Sequence, residues 1–304
     1  MGDSKVKVTK WETDSKIIGH PGDPVYAYTG MNWGDIWGFE TDRYFTEADF
    51  TSRNANGSWV YAPGVADQTG IQTNQFVYGP GDIKFKDLNG DGKIDGGKGT
   101  EEDHGDLKVI GNILPRYEYS FHLGGSWKGF DLDLFFQGVG KRSMWTQSAF
   151  VFPEMREADL AIFANQTKYN VYDPAHNNVN ISESNDFPCL YPGNEYAGNV
   201  TGVSGEGGCH NYYPQTKYLV DLSYLRLKNI TLGYTLPVEI TKKFYVQNLR
   251  FYASVNNLAL LHNGCGKVPV DPEMNAGQGN LGYGTWGRTY PTTRSWSIGL
   301  QVTF

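Results

Sequence analysis

The sequence contains no long hydrophobic run. No window of about twenty apolar residues occurs in it, and a helix needs about that length to cross a membrane. The mean hydropathy is −0.48. A membrane-spanning helix is therefore excluded. A transmembrane structure built of strands is not excluded, because half of each strand would face a polar interior and hide the hydropathy signal.

Positive charge and catalytic signatures are also scarce. The 304 residues carry a net charge of −7 with no basic stripe, which excludes nucleic acid as a partner. Neither G-x-S-x-G nor H-E-x-x-H occurs. The six histidines lie apart along the chain: His20, His104, His122, His176, His210 and His262. The sequence therefore predicts a protein that is not an enzyme.

Cysteine is rare, and none of it forms a metal or redox motif. Cys189, Cys209 and Cys265 include no C-x-x-C pair, so a zinc site or a thioredoxin-type site is unsupported. Cys189 and Cys209 share one stretch rich in Gly, Asn and Tyr, and they are the candidates for a disulfide in an oxidising compartment. The alternative is that both are unpaired loop thiols.

The stretch from Arg294 to Phe304 has the clearest pattern in the chain. Its apolar residues alternate with polar or small ones, which gives a strand with one wholly apolar face; they are Trp296, Ile298, Leu300, Val302 and Phe304. Eleven residues at about 3.4 Å each, tilted by about 45°, rise about 26 Å, close to the apolar band of an outer-membrane barrel. A strand of a soluble sandwich is the alternative.

Similar alternation predicts an all-β chain with connections of unequal length. The strands are predicted at about 115–127, 129–138, 218–236, 248–257 and 294–304, with a bulge near Lys228 and Asn229. Short connections alternate with the long loops 139–217 and 258–293. Short turns on one side and long loops on the other are typical of an antiparallel transmembrane barrel, whereas a sandwich gives no reason for such alternation.

Residues 1–114 are predicted to hold a strand end and then a long external loop region rich in aromatic residues. Within it, residues 87–106 resemble a calcium loop, with oxygen ligands spaced as D-x-N-x-D-G-x-x-D. The candidate ligands are Asp87, Asn89, Asp91, the Lys93 backbone carbonyl and Asp95, with Asp106, or else Glu101, Glu102 or Asp103, folding back as the missing ligand. Lys98 stands at the twelfth position, where a bidentate acid is expected. The alternative is an Asp/Asn/Gly turn that holds no ion.

Aromatic residues make up 14% of the chain. Six of them lie in predicted external loops and are candidates for stacking on sugar rings: Trp33, Trp37, Trp145, Tyr191, Tyr196 and Trp286. The alternative is that these rings pack the loops against one another or against a partner protein.

Several blocks of the sequence resemble one family. They are P-G-D-I-K-F-K-D-L-N-G-D-G-K-I-D (80–95), G-F-D-L-D-L-F-F-Q-G (129–138), Y-L-R-L-K-N-I-T-L-G-Y-T-L-P (224–237), L-R-F-Y-A-S-V-N-N-L (249–258) and the closing strand. Together they resemble the C-terminal third of a SusC/RagA-type TonB-dependent outer-membrane transporter of the Bacteroidetes. Phe304 and the alternation before it resemble the C-terminal signal read by the bacterial barrel-assembly machinery.

The resemblance implies a fold, a location and partners. The fold is the C-terminal part of a large antiparallel transmembrane β-barrel with long external loops, in the bacterial outer membrane. The partners are a SusD-like surface lipoprotein that acts as a lid, the remainder of the barrel with its plug, TonB through the missing N-terminal part, and outer-membrane lipid. The implied activity is uptake of oligosaccharides or peptides.

The start of the chain predicts that it is a fragment. Met1 to Lys5 lead into no apolar core, so no secretion signal is found. Five or six strands cannot close a large barrel, and open edges in lipid cost several kcal/mol per unpaired group. We therefore expect a fragment or half of a split gene that does not transport alone. The alternative function is a secreted, calcium-stabilised β-domain that binds glycans through exposed aromatic residues.

Overall fold

The computed structural model describes residues 1–11, 16–18, 28–55, 57–72, 77–146, 150–152, 163–190, 211, 213–273 and 292–304. Within these residues, six strands form one antiparallel sheet in the order β1-β8-β9-β14-β15-β16. The strands are β1 (Gly2–Asp3), β8 (Tyr117–Trp127), β9 (Phe130–Gly140), β14 (Tyr224–Thr235), β15 (Asn248–Asn263) and β16 (Ser295–Thr303).

The remaining strands pair two by two outside that sheet. These pairs are β2 (Asp35–Phe39) with β7 (Leu107–Asn112), β3 (Thr41–Tyr44) with β6 (Ile83–Phe85), β4 (Phe50–Arg53) with β5 (Trp59–Tyr61), β10 (Ser143–Met144) with β13 (Val220–Asp221), and β11 (Val171–Asp173) with β12 (Asn178–Asn180).

Helices are short. The α-helix α1 covers Val238–Thr241, and single 3-10 turns cover Glu47–Asp49, Thr69–Ile71, Ala164–Gln166, Pro174–His176 and Lys242–Phe244. In the part of the chain that the structure describes, no helix has the length and apolar character needed to cross a membrane.

The sheet has one irregularity that the sequence predicts. The register of β14 shifts between Leu227 and Asn229 against both of its neighbours, β9 and β15. Against β9, Lys228 is the extra residue of this bulge, whereas against β15 the extra residue lies on β15, between Asn256 and Ala259. The bulge brings Leu227 and Ile230 to the same face, which the alternation alone would place on opposite faces.

Two strand limits differ from the predicted ones. The strand predicted at 218–236 begins at Tyr224, because β13 leaves the sheet and pairs with β10 instead. The strand predicted at 248–257 continues to Asn263, because residues beyond 257 pair with the first residues of β14, as in Leu227 with Ala259.

One face of the sheet is apolar and uncovered within the described residues. Ten of its large side chains are exposed, from 38% at Val302 to 89% at Ile298. The face includes Leu123, Trp127, Phe130, Leu132, Leu232, Phe251, Trp296, Ile298, Leu300 and Val302. A soluble protein rarely exposes a contiguous apolar surface of this extent. The sandwich alternative required Ile298, Leu300 and Val302 to be buried between sheets, and it is wrong.

The hydrophobic core lies outside the sheet, in the long connections. We call the described parts of residues 28–113, 142–222 and 264–273 the cap. The buried side chains come from segments far apart in sequence: Phe39, Tyr44, Phe45, Ile83, Phe85, Ile94, Met144, Phe152, Phe187 and Leu222 are among them. The cap follows the long connections, while the short ones, at residues 128–129 and 236–247, lie at the opposite end of the sheet.

Buried side-chain amides bind the cap segments together. The Ile83 N–H donates to Asn211 Oδ1 at 2.8 Å, and the Phe85 N–H donates to Gln68 Oε1 at 2.7 Å. Gln68 Nε2 donates back to the Ile83 carbonyl at 3.2 Å, and Asn211 Nδ2 donates to Asp82 at 2.7 Å. These bonds satisfy backbone groups of a short strand that the strand pairs leave open.

Candidate functional site

The polar face of the sheet carries ion pairs that cross strands. Arg250 on β15 makes a two-pronged contact with Asp131 on β9, with Nε to Oδ1 at 2.9 Å and Nη2 to Oδ2 at 2.5 Å. The pair passes over β14 at Gly233, where a Cβ atom would lie 2.4 Å from Asp131 Oδ1. His122 contacts Asp133 on the same face. Charged groups on one face and apolar groups on the other suit a strand that separates water from lipid.

Aromatic rings on both faces cover glycines of neighbouring strands. On the polar face, Tyr252 lies over Gly299, where a Cβ would be 2.2 Å from the ring. On the apolar face, Tyr119 lies over Gly138 in the same way and donates its hydroxyl to the Tyr224 carbonyl at 3.2 Å. Packing of this type fixes the register between strands.

A cluster of four charges, in which Arg226 is buried and the other three are partly buried, ties the cap to the polar face. Arg226, only 5% exposed, donates from Nη2 to Asp271 Oδ1 at 2.5 Å, and its Nε lies 3.1 Å from Glu273 Oε2. Lys228, the bulge residue, pairs with the other oxygen of Glu273. Burial opposes the charge on Asp271, but hydrogen bonds from the Glu273 N–H and Arg226 outweigh it and lower its pKa. The cluster fixes residues 271–273 against β14.

The predicted calcium loop is a tight turn stabilised by its own side chains. Asp87 accepts hydrogen bonds from the Gly90 N–H at 2.6 Å and the Gly92 N–H at 2.8 Å. Gly90 and Gly92 have φ values of 77° and 82°, which glycine adopts without strain. Asn89 Oδ1 accepts from the Asp91 N–H at 2.9 Å, and Asp91 Oδ1 from the Lys93 N–H at 2.8 Å.

Asp106, one of the four acids predicted to fold back as a ligand, contacts this loop as a hydrogen-bond acceptor. It is fully buried and accepts from the Leu88 N–H at 2.6 Å and the Asp95 N–H at 3.0 Å. Burial raises its pKa, although the backbone donors oppose this. Among the described residues, no group of three His, Cys, Asp or Glu side chains is arranged to hold a metal ion. Calcium binding through Asp87, Asn89, Asp91, Lys93, Asp95 and Asp106 stays a prediction.

A melting experiment tests the calcium prediction. We expect calcium to raise the melting temperature of the full-length protein relative to EDTA, and Asp87→Asn together with Asp91→Asn to abolish the rise, because both substitutions remove anionic ligands. Asp173→Asn is the control, since Asp173 caps a 3-10 turn of the cap outside the loop. A melting temperature that does not respond to calcium would leave the ion-free turn as the correct reading.

The aromatic candidates differ in how exposed their rings are. Trp33 is 47% exposed, whereas Trp145 is 8% exposed and packs on Phe152 with ring centroids 5.3 Å apart. Trp37 is half-buried and tilted against His104 at 5.4 Å. Trp145 therefore packs the loops together, as the alternative reading requires, and its ring is not open to a sugar. Tyr191, Tyr196 and Trp286 lie outside the described residues.

The cysteine and C-terminal candidates are placed as follows. Cys189 is buried, with Sγ 3.6 Å from the Pro80 carbonyl, and Cys209 lies outside the described residues, so their pairing stays a prediction. Phe304 is 81% exposed at the end of the apolar face, and its role as an assembly signal also stays a prediction.

The cap contains a cavity of about 300 Å³ that sequence reasoning missed. Polar groups in its wall include Asp186 and Lys267, whose ammonium lies 2.8 Å from the carboxylate, and Lys217. Burial lowers the pKa of Lys217, whose ammonium lies 4.6 Å from the centroid of the Tyr44 ring. The walls come from five segments separated in sequence, so no local motif marks the cavity.

No family model matches the chain. Among curated proteins, it is 27% identical over 235 residues to TonB-dependent receptor P3 of Formosa agariphila, covering 74% of this chain and 19% of the relative. It is also 27% identical over 260 residues to TonB-dependent receptor P26 of the same organism, covering 84% of this chain and 22% of that one. The chain thus spans about a fifth of the length of these relatives.

One solved structure is similar enough to this chain to show the fold. The RagAB peptide importer in its closed-closed state matches 97% of this chain and 25% of its own, with 16% identity and a TM-score of 0.50. Another RagAB peptide transporter structure matches 96% of this chain and 25% of its own at 18% identity and a TM-score of 0.48. The structure with the TM-score of 0.50 shows the fold alone. With the curated relatives, it confirms the resemblance predicted from the sequence and the all-β barrel fold.

Proposed function

We propose that this chain, which is related to the TonB-dependent receptors of the bacterial outer membrane, forms part of the wall and external mouth of a nutrient importer. The observation that carries the proposal is the division of one sheet, among the described residues, into an exposed apolar face and a polar face with ion pairs that cross strands. Apolar groups facing acyl chains and polar groups facing a wet interior are the pattern of a transmembrane barrel wall.

The structure of the cap supports its proposed place at the external mouth of the importer. It has its own hydrophobic core, so the described parts of the long connections form a folded body. Salt bridges join segments on the surface of the cap, as where Glu40 pairs with Lys108 and Lys86. These two lysines lower the pKa of Glu40 to about 2. A rigid external body can position cargo and a partner at the mouth.

The finer proposal concerns cargo and partners. The cargo is an oligosaccharide or a peptide, taken up with a SusD-like lipoprotein lid that docks on the cap and with TonB acting through another part of the transporter. The exposed Trp33 and the cavity beside Lys267 are the candidate contacts for cargo. The secreted glycan-binding domain, the alternative function, is disfavoured because its apolar face would be left in water.

Surface labelling tests the orientation. We expect a cysteine at Lys98→Cys, on an 82% exposed side chain of the cap, to react with a membrane-impermeant maleimide on intact cells. A cysteine at Lys243→Cys, exposed in the short connection 236–247, is expected to react only after permeabilisation. The unsubstituted transporter supplies the background. Equal labelling of both sites on intact cells would contradict the proposed orientation.

Uptake tests the function. A strain lacking the full-length transporter is expected to lose growth on either defined oligosaccharides or defined peptides as the sole carbon source, and to regain it with the wild-type gene. Affinity purification of the transporter from outer membranes is expected to bring down a surface lipoprotein in stoichiometric amount. Unchanged growth on both nutrient classes would contradict the import proposal.

A further inference from the structure

A recess of about 690 Å³ lies where the apolar face of the sheet meets the cap, at the end opposite the short connections. We call it the rim recess. Its sheet side is formed by Tyr119, Gly140 and Lys141, and its polar walls include Ser143, Ser223 and His262. These residues come from β8, β9 and β15 and from cap segments, so the recess joins the two parts of the molecule.

The recess lies beside the apolar face, because Tyr119 and Gly140 in its wall are on that face, although Val139 in the same wall is on the polar face. Tyr117 and Tyr119 share a face with Phe121, and Phe121 stacks on Phe136 at 4.4 Å on the apolar side. The ring of Tyr117 lies across Gly140, where a Cβ atom would be 3.5 Å from it. Tyrosines at the end of an apolar band mark the level of lipid headgroups.

An unpaired cation stands at this level. The Lys141 ammonium lies 5.7 Å from the centroid of the Tyr117 ring, and among the described residues no carboxylate is within ion-pairing distance of it. Arg116 lies 5.7 Å from the same ring, but its charge is met by Asp3. Lys141 is therefore the cation at the rim that is open to an added anion.

The hydrogen-bonding groups in the walls suit a sugar. The Ser223 hydroxyl lies 3.1 Å from His262 Nε2 and donates to Asp221 at 2.9 Å. The Asp221 carboxylate also accepts from the Ser223 N–H at 2.8 Å, so part of its hydrogen-bonding capacity is used within the turn. Hydroxyl, imidazole and carboxylate groups side by side offer both donors and acceptors to the hydroxyls of a sugar ring.

We propose that the rim recess binds the phosphorylated sugar headgroup of an outer-leaflet glycolipid, with Lys141 contacting the phosphate and the acyl chains lying on the apolar face. The proposal rests on the proposed function, because it requires that face to lie in a membrane. Charge complementarity selects the phosphate, the recess volume selects a bulky sugar headgroup over a small one, and the adjoining apolar face selects a lipid over a soluble sugar phosphate.

The chain provides a matched control for Lys141. Lys128 lies in the short turn at the opposite end of the sheet, with its ammonium 4.7 Å from the centroid of the Trp127 ring. Lys128 and Lys141 both have positive φ values, 49° and 50°. Asparagine tolerates this conformation and carries no charge. Lys141→Asn and Lys128→Asn therefore remove the same charge over an aromatic ring with the same small effect on the backbone.

The test is a lipid titration of the detergent-purified full-length transporter, read by native mass spectrometry. The probes are lipid A carrying its phosphate, the same lipid A after phosphatase treatment, and phosphatidylglycerol. We expect the wild type to prefer phosphorylated lipid A, and Lys141→Asn to weaken that binding about fivefold, as expected for one cation near an anionic lipid surface. Lys128→Asn should change nothing, and Lys141→Arg should retain binding.

Each contrary result overturns the proposal in an identifiable way. Equal binding of phosphorylated and dephosphorylated lipid A, or an unchanged affinity in Lys141→Asn, would show that Lys141 does not contact the phosphate. Binding of phosphatidylglycerol as tight as that of phosphorylated lipid A would show that the recess does not recognise a sugar headgroup. If lipid binding fails in one of these ways but Lys98→Cys is still labelled on intact cells, the proposed function stands and only the lipid site is wrong. If Lys98→Cys, in an otherwise wild-type transporter, is not labelled on intact cells, the proposed function itself is wrong.

Discussion

Replacing Ile298 by arginine is expected to prevent stable assembly of the transporter in the outer membrane. Ile298 is 89% exposed in the middle of β16 on the apolar face. A charged side chain facing lipid near the bilayer midplane costs about 2–4 kcal/mol. That loss is a large part of the stability of an ordinary domain. We expect a marked fall in the amount of folded transporter recovered from outer membranes, measured by heat-modifiable mobility in gels.

The neighbouring residue provides the control. Ser297 lies on the polar face, where its hydroxyl is 2.6 Å from that of Ser254. Ser297→Arg adds the same side chain to the same strand but directs it to the wet side, so it is expected to leave the amount of folded transporter near the wild-type level. Equal losses in Ile298→Arg and Ser297→Arg would mean that the two faces do not meet different solvents.

Removing the Arg226 side chain is expected to release the cap segment around residues 264–273 from the sheet. Arg226→Ala leaves Asp271 and Glu273 with Lys228 as their only described cationic neighbour, in a largely buried site. Removing one partner of a buried ion pair costs about 3–5 kcal/mol, because the remaining charge is left unpaired. We expect faster cleavage of this segment by an added protease on intact cells, with the rest of the cap still protected.

Two further variants separate this effect from a general loss of stability. Lys98→Ala breaks an exposed ion pair with Asp103, at 3.3 Å, and should cost less than about 1 kcal/mol. Replacing Arg226 and Lys228 by Met together with Asp271→Asn and Glu273→Gln removes all four charges of the cluster, so it should recover most of the protease protection. Unchanged cleavage in Arg226→Ala would show that the cluster does not hold the segment.

The sheet is the part of the fold that local sequence predicts. Alternation with period two places every second side chain of the closing stretch on one face, and the apolar set from Trp296 to Val302 is exposed on one face of the sheet. The bulge at Lys228 was readable because the apolar parity changes between Leu227 and Ile230. Both signals are local, since each strand carries its own pattern.

The cap could not be predicted because its contacts are long-range. The Ile83 N–H meets Asn211, 128 positions away, and Arg226 meets Asp271, 45 positions away. No periodic pattern connects such residues. The same limit explains Trp145, whose position in an aromatic loop suggested an exposed ring, although packing on Phe152 buries it. The aromatic residues of the loops supply much of the core that the sheet lacks.

The claim that the apolar face of the sheet meets lipid is tested most directly by lipid quenching along β16. The full-length transporter is reconstituted in bilayers with brominated acyl chains. A fluorescent label is attached to single cysteines at Ser297, Ile298, Leu300 and Gln301. We expect strong quenching at Ile298 and Leu300 and weak quenching at Ser297 and Gln301, because side chains of a strand alternate between lipid and lumen. Equally weak quenching at all four positions would contradict it.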